Sequence, residues 1–346
     1  MKAGPPAPSK VPAYFLLFAC CALGKPAVAH AADAAAAPPT ACEEPVIQGY
    51  EPTTLGYTWQ GNDEPFVDFR ISLKAPLFRR LLCDHLQGRG HLYLTFTGRF
   101  AFYVRTRASS PVIDREYNPK ILWRFLDTRA TTKSIDTYNN KPIEEYARYL
   151  DVAYAHSSNG QTIDTQQEYQ IESAQSGSAR DAMDHISRGW DYLEVDARET
   201  VRDVAPGSGD LDIYPDLKFF LRHGLFQGVP EEYHAWERDS TLLPRHAFDG
   251  VSMALEYRPF AERIDGQSGS TVAAPRERLL LSLRFELKYT TGYDPFARYN
   301  TVRAEIGVAP FGLPIALWFQ DGYMNSLARY YEKTSSGGIE LRFVQF

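Results

Sequence analysis

The sequence has few cysteines, no excess of basic residues and no long apolar run beyond its first thirty residues. Two of its four cysteines lie near the N-terminus, and the remaining pair, Cys42 and Cys83, is too few for a disulfide framework, although these two could still bond to each other. Acidic residues outnumber basic ones by 43 to 37 and no basic block stands out, which disfavours nucleic-acid binding. Because no later segment offers eighteen consecutive apolar residues, transmembrane helices are excluded.

The N-terminus has the pattern of a secretory signal. Lys2 and Lys10 precede a short apolar run, and the small-residue exit Ala29-His30-Ala31 follows it. We therefore predict a signal peptide over residues 1–31, a flexible leader over 32–60 that begins rich in Ala and Pro, and one structural domain over 61–346.

The dominant pattern of that domain is an alternation with a period of two. Between His91 and Arg105 every even position is apolar or Gly, and from Leu279 to Tyr289 the odd positions are apolar while Ser, Arg, Glu and Lys lie between them. Successive side chains of a strand point to opposite faces, so these segments are predicted strands with one apolar and one polar face. Weaker copies occur at 67–73, 120–126, 148–158, 189–197, 215–224, 251–257, 301–309, 313–320 and 337–345.

The length of the strands favours a membrane barrel over a soluble β-sandwich. A strand that crosses a bilayer needs about nine to eleven residues, whereas sandwich strands usually have about five or six. Aromatic residues make up 13% of the chain, enough for two interfacial girdles. The terminal Phe346 after an amphipathic strand is similar to the signal that the bacterial outer-membrane assembly machinery recognises. We therefore predict an all-β protein: an antiparallel transmembrane β-barrel of twelve strands in the outer membrane.

One strand end combines a histidine with a serine. The alternation places Tyr154, His156 and Ser158 on the lipid-facing side, and residues two apart on a strand have Cα atoms about 6.6 Å apart. Asp191 shares its parity with the apolar positions of the next strand, so an antiparallel pairing could bring it beside His156. A serine, a base and an orienting carboxylate form the triad of serine hydrolases, and one that faces lipid suits an enzyme acting on lipid.

Simpler interpretations of the same residues stay open. A lone His-x-Ser in a strand is common, and Asn159-Gly160 could be an ordinary turn. The domain could be a catalytically silent structural or porin-like barrel, or a soluble periplasmic sandwich.

Several motifs resemble those of bacterial outer-membrane phospholipase A. That family has a Y-x-H-x-S-N-G strand end, matched here by residues 154–160, and a downstream D-x-x-S-R-x-W-N, matched by 184–191. The likeness extends through 71–77, Ser109-Ser110-Pro111 with 117–119, and 291–293. It covers roughly residues 66 to 346.

The resemblance implies a phospholipase A1/A2 that hydrolyses glycerophospholipid esters, depends on Ca²⁺ and acts as a homodimer. By matched positions, Ser158 is the nucleophile, His156 the base and Asp191 the third triad residue, and the Gly160 amide contributes to the oxyanion hole. The resemblance assigns calcium to four further positions: Asp184, the Ser187 hydroxyl, the Ala182 carbonyl, and Ser109 from the second subunit.

Two departures from the family pattern bear on this assignment. The family has Asn where this chain has Asp191, which adds a negative charge near lipid. The connection between Ser158 and Asp184 also carries an extra loop over 161–181, whose Asp164 is a rival calcium ligand.

Overall fold

Twelve long strands account for most of the described part of the chain. The computed structural model describes residues 47–61, 64–78, 90–104, 111–126, 131–136, 141–146, 148–201, 209–225, 234, 236–237, 243–259, 283–310 and 313–343. The strands are β1 Thr53–Gln60, β2 Phe66–Pro76, β3 Gly90–Phe102, β4 Val112–Leu126, β5 Arg148–Ser158, β6 Gly189–Val201, β7 Asp210–Phe220, β8 Val251–Arg258, β9 Arg284–Tyr293, β10 Phe296–Val308, β11 Ile315–Gly322 and β12 Thr334–Phe343.

The twelve strands form one closed antiparallel barrel. Each strand pairs with its neighbour in chain order, and β12 pairs with β1, so that for example Ile339 lies opposite Tyr57. No edge remains unpaired around the wall, which is what a sheet needs in lipid. The predicted fold class and the strand number are confirmed.

Shorter elements lie outside the wall. They are a two-residue strand Gln48–Gly49 beside β2, a hairpin of Thr131–Asp136 with Lys141–Tyr146, helices α1 Gln166–Ser176 and α2 Ala179–Met183, and a 3-10 turn Arg245–Ala247. None of the helices in the described ranges is long and apolar enough to cross a membrane.

The alternation separates an apolar exterior from a polar lumen. On β3, Leu94 and Phe96 are exposed, whereas Tyr93 and Thr95 between them are buried. The same contrast repeats around the wall, with the exposed side chains Leu55, Trp59, Ile121, Val152, Leu193, Phe219, Leu255, Phe285, Leu287, Val302, Ile306, Leu317, Phe319 and Ile339. The apolar face therefore looks outward, as in a transmembrane barrel of the outer-membrane type.

Ion pairs fill the lumen. Lys120 Nζ lies 2.5 Å from Glu194 Oε2, and Arg124 forms a bidentate salt bridge with Asp151. Further around the wall, Glu305 is paired with three arginines, Arg284, Arg303 and Arg342. Buried charges need such partners because an unpaired one is costly. The lumen is thus a packed polar core.

Three sequence predictions about boundaries need correction. The barrel begins at Thr53, inside the segment 32–60 expected to be a flexible leader, because the alternation of Leu55, Tyr57 and Trp59 continues the wall and closes it against β12. The Pro- and polar-rich segment 107–119 is predicted from the sequence to be a connection between strands, but it contains residues 112–119 of β4. The strand expected at 215–224 runs instead from Asp210 to Phe220. The predicted signal peptide, both later cysteines, Ser109 and Phe346 lie outside the described residues.

The chain between β5 and β6 forms a cap at one end of the wall. Helix α1 begins at a capping box, in which Thr165 accepts from the Glu168 amide and Glu168 accepts from the Thr165 amide. The Asp164 amide, followed by the Thr165 hydroxyl and amide, stabilises the charged Glu168 carboxylate and lowers its pKa. A second segment, 323–333 between β11 and β12, packs through Leu327 and Tyr330 against Trp190. These two segments position the residues matched to the family motif.

Candidate active site

His156 and Ser158 lie at the C-terminal end of β5, on the face of the strand that points outward. Val152 on the same face is 40% exposed, whereas Ala155 and Ser157 on the other face are completely buried. His156 is partly exposed at its side chain, and Ser158 is partly exposed as well. The predicted outward orientation of this pair is what the structure has.

Asp191 lies directly across from His156 on β6. The two residues are register partners, and Asp191 Oδ1 is 2.6 Å from His156 Nδ1. Because this carboxylate engages Nδ1, the imidazole presents Nε2 as the nitrogen that can accept a proton from a neighbouring hydroxyl. The pairing expected from strand parity is thus present in the structure.

The second oxygen of Asp191 is bonded to a tyrosine. The Tyr154 hydroxyl donates to Asp191 Oδ2 at 2.6 Å and accepts from the Leu225 amide at 2.5 Å. The sequence places Tyr154 on the right face of β5, but it gives no sign of the bond to Leu225, which comes from the segment after β7.

That segment, 221–225, covers the carboxylate of Asp191. The Leu221 amide donates to the Asp191 carbonyl at 2.8 Å, and a Cβ placed on Gly224 would overlap the Asp191 side chain. Asp191 is 1% exposed as a result, although it belongs to the outward face. The backbone of this segment therefore shields the carboxylate from lipid, and both carboxylate oxygens are hydrogen-bonded. These bonds offset the free-energy cost of placing a charged aspartate near lipid.

Aromatic side chains lie beside Ser158 on the outer wall, and exposed aliphatic side chains lie further along it, at Tyr154. Tyr117 on β4 is its register partner, and the Tyr117 ring contacts Phe100 edge-on at a centroid distance of 5.8 Å. Leu193 is 42% exposed and Leu225 is 81% exposed. A hydroxyl in this setting meets acyl chains rather than the aqueous lumen.

The turn after Ser158 is held by its asparagine. Asn159 Nδ2 donates to the Ile186 carbonyl at 2.7 Å, and Asn159 Oδ1 accepts from the Arg188 amide at 2.9 Å. Gly160 has a φ of +56°, and a Cβ there would press on the Tyr117 ring. The position consequently requires glycine, and it fixes the direction of the Gly160 amide next to Ser158.

The residues assigned to calcium do not fit that ion as they stand. The Asp184 side chain is fully buried, and its Oδ1 lies 2.7 Å from Nε of Arg329. The Ala182 carbonyl accepts from the His185 amide, and the Ser187 amide donates to Ile163. The rival ligand Asp164 is exposed, and its carbonyl accepts from Trp236. Within the described ranges, no group of three or more His, Cys, Asp or Glu side chains is arranged to hold a metal ion.

Comparison with known proteins adds a likeness of fold. No protein-family profile matches the chain, and no curated protein sequence matches it. Among solved structures, the outer membrane phospholipase dimer of Salmonella typhi with bound calcium is similar, with a TM-score of 0.53 and 14% identity over 86% of this chain and 91% of that one. Outer membrane phospholipase A of Escherichia coli gives a TM-score of 0.51 at 14% identity, over 86% of this chain and 93% of that one.

The similarity to these two solved structures is consistent with the barrel architecture described above. Both related structures are covered almost completely, and the strand number and outward apolar face found here are those of a membrane barrel. The chain is therefore an outer-membrane β-barrel whose fold resembles that of outer membrane phospholipase A.

Proposed function

We propose that this barrel is a phospholipase A that hydrolyses acyl esters of membrane glycerophospholipids through Ser158, His156 and Asp191. The single observation that carries the proposal is the His156–Asp191 bond of 2.6 Å on the outer wall, two residues from a serine on the same face. A polar relay that faces lipid has no use in a pore, and ion pairs such as Lys120–Glu194 and Arg124–Asp151 occupy the lumen.

The first half of the reaction forms an acyl-enzyme. His156 Nε2 removes the proton of the Ser158 hydroxyl, and Ser158 Oγ bonds to the ester carbonyl carbon. The Gly160 amide donates to the resulting oxyanion. When the intermediate collapses, the bond between the carbonyl carbon and the glyceryl oxygen breaks, and the imidazolium returns its proton to that oxygen, which releases the lysophospholipid.

The second half hydrolyses the acyl-enzyme. His156 takes a proton from water, the hydroxide attacks the acyl carbon, and the bond to Ser158 Oγ breaks with return of the proton to the serine. A free fatty acid leaves. Asp191 keeps the imidazole in the required tautomer and stabilises its charged form at both stages. No step passes through a metal, because the Asp184 carboxylate already has Arg329 as its partner.

The substrate class follows from the surroundings of Ser158. Tyr117 and Phe100 form an apolar platform beside the hydroxyl, and Leu193 and Leu225 are exposed further along the wall, at Tyr154. An ester at the level of the acyl chains can reach this wall from the bilayer by lateral diffusion.

Association into a homodimer belongs to the same proposal, and the Salmonella typhi structure is a dimer. The site lies on the outer wall, so a second barrel could cover it and form an acyl-chain groove between two apolar faces. Chemical cross-linking in detergent micelles, followed across dilution together with activity, tests this. Full activity under conditions where only monomer is present would rule the dimer out.

The test of the enzyme compares three refolded proteins: wild type, Ser158→Ala and Ser157→Ala. Hydrolysis of phospholipid in mixed micelles is expected to be lost with Ser158→Ala, because no other hydroxyl replaces the nucleophile, and to survive in Ser157→Ala, whose hydroxyl faces the lumen and bonds to Glu116. Labelling of the wild type by a lipid-like phosphonate, and its absence in Ser158→Ala, checks the covalent step. Equal background in all three proteins would favour the catalytically silent barrel.

A further inference from the structure

The charge of Asp184 is compensated within the chain. Its side chain is fully buried, and Arg329, which is 3% exposed, approaches Oδ1 with Nε at 2.7 Å. Arg329 belongs to the segment between β11 and β12, which contacts the end of α2 through this pair. A buried ion pair of this kind joins two parts of the chain that are distant in sequence.

The pair is part of a chain of alternating charges. Arg329 Nη1 lies 3.2 Å from Glu332 Oε2, and the same oxygen lies 3.3 Å from Nη2 of Arg180 on α2. Two carboxylates and two guanidiniums therefore neutralise each other. Beside them, Arg188 forms a bidentate salt bridge with Glu237, and its Nε and Nη2 groups donate to the Ala328 carbonyl. The cap is thus held by arginines on either side of the stretch that the family motif assigns to calcium.

Calcium would compete with Arg329 for the same carboxylate. The ion takes six to eight oxygen ligands at about 2.3–2.6 Å, which it could not gain at Asp184 without moving the guanidinium away. Displacement would remove the buried partner of Arg329 and leave the guanidinium with the Glu332 carboxylate alone, which is unfavourable for a buried charge. The Ala182 carbonyl is also engaged, by the His185 amide at 3.1 Å.

We propose that Arg329 is the resident counter-cation of Asp184 and takes the place that a divalent metal would otherwise hold. The chain therefore binds no calcium at Asp184, and its hydrolytic activity does not require calcium. The prediction that Asp184 binds no calcium rests on the ion pair alone. The prediction that activity does not require calcium also rests on the proposed phospholipase function.

The experiment uses the full chain, refolded in detergent after removal of divalent ions. Titration of the wild type with calcium up to about 1 mM, the range of weak calcium modules, is followed by calorimetry and by thermal unfolding. We expect no saturable heat and no shift of Tm. Arg329→Gln is expected to lower Tm by roughly 5 °C or more, since Asp184 is left buried without a cation, and adding Asp184→Asn to it should recover much of the loss.

Two results would overturn the inference: a calcium-dependent rise of Tm in the wild type that Asp184→Asn abolishes, or an unchanged Tm in Arg329→Gln. The matched control is Arg303→Gln, which removes a lumen arginine from Glu305 while Arg284 and Arg342 remain. Its Tm should not depend on Asp184→Asn.

Lipid hydrolysis separates this inference from the proposed function. Activity that persists in chelator and is lost in Ser158→Ala supports both, and activity that chelator removes and calcium restores overturns the metal-independent site alone. If no protein hydrolyses lipid under any condition, the phospholipase proposal fails, whereas calcium binding and Tm still decide the role of Arg329.

Discussion

Gly224→Ala is expected to lower the kcat of lipid hydrolysis about 100-fold, although Gly224 touches neither substrate nor nucleophile. The added methyl group would occupy the space of the Asp191 carboxylate, so either that carboxylate or the 221–225 segment must move. A displacement of about 1 Å in a positioning group can cost about two orders of magnitude in rate. The measurement is steady-state hydrolysis of a phospholipid in mixed micelles, with kcat and KM determined separately.

The control for this substitution is Gly307→Ala on β10. The nearest atoms to a Cβ on Gly307 belong to the Arg284 guanidinium, at 3.1 Å, on two paired strands that carry no member of the relay. Gly307→Ala should retain kcat, and both variants should still show the heat-dependent gel mobility of a folded barrel. If Gly224→Ala folds and hydrolyses lipid at the wild-type rate, the 221–225 segment does not position Asp191.

The alternation of apolar and polar residues is sufficient to predict the strands of the barrel wall and the residues that lie opposite each other on neighbouring strands. Period two assigns each residue of a strand to the lumen or to the lipid, and this placed His156 and Ser158 outward from sequence alone. The next ordered segment pairs antiparallel with β5, so parity also selected Asp191 as the residue opposite His156. These predictions succeed because strand geometry repeats every two residues and connects neighbours in chain order.

The groups around the relay could not be predicted in the same way. From the segment after β7, Gly224 lies against Asp191 and the Leu225 amide donates to Tyr154. Arg329 reaches Asp184 from the segment before β12. Such contacts depend on the conformation of the loops at the end of the barrel, and the period-two pattern of the strands carries no information about that conformation. The first strand was missed for another reason: the eight residues Thr53–Gln60 include three Thr and one Gly, so their alternation is weak until β12 is known to lie beside them.

Asp191 should be the most sensitive member of the site after the nucleophile and its base. Asp191→Ala is expected to lower kcat about 10⁴-fold, because the imidazole then loses both its tautomer and the stabilisation of its charge. The protein should stay folded, since the backbone bond from Leu221 to the Asp191 carbonyl does not involve the side chain. The check is the same micelle assay, with gel mobility as the measure of folding.

The bond from Tyr154 explains why an aspartate, rather than the family's asparagine, suits this chain. The Tyr154 hydroxyl accepts from Leu225 and donates to Asp191 Oδ2, while Oδ1 serves His156. Two donors therefore converge on one side chain, and a carboxylate has an acceptor for each. An amide has only one acceptor oxygen, so its NH₂ group would face either the imidazole N–H or the tyrosine O–H.

A double-mutant cycle tests this argument. Tyr154→Phe alone is expected to lower kcat about tenfold, as for the loss of a hydrogen bond to a charged group, while leaving KM unchanged. In the Asp191→Asn background the same change should alter kcat by less than about twofold, because the stronger bond from the hydroxyl to a charged acceptor is already gone. Tyr57→Phe, on the exposed outer wall of β1, is the matched control and should have no effect in either background. Equal losses from Tyr154→Phe in both backgrounds would mean that the tyrosine supports the barrel wall and not the carboxylate.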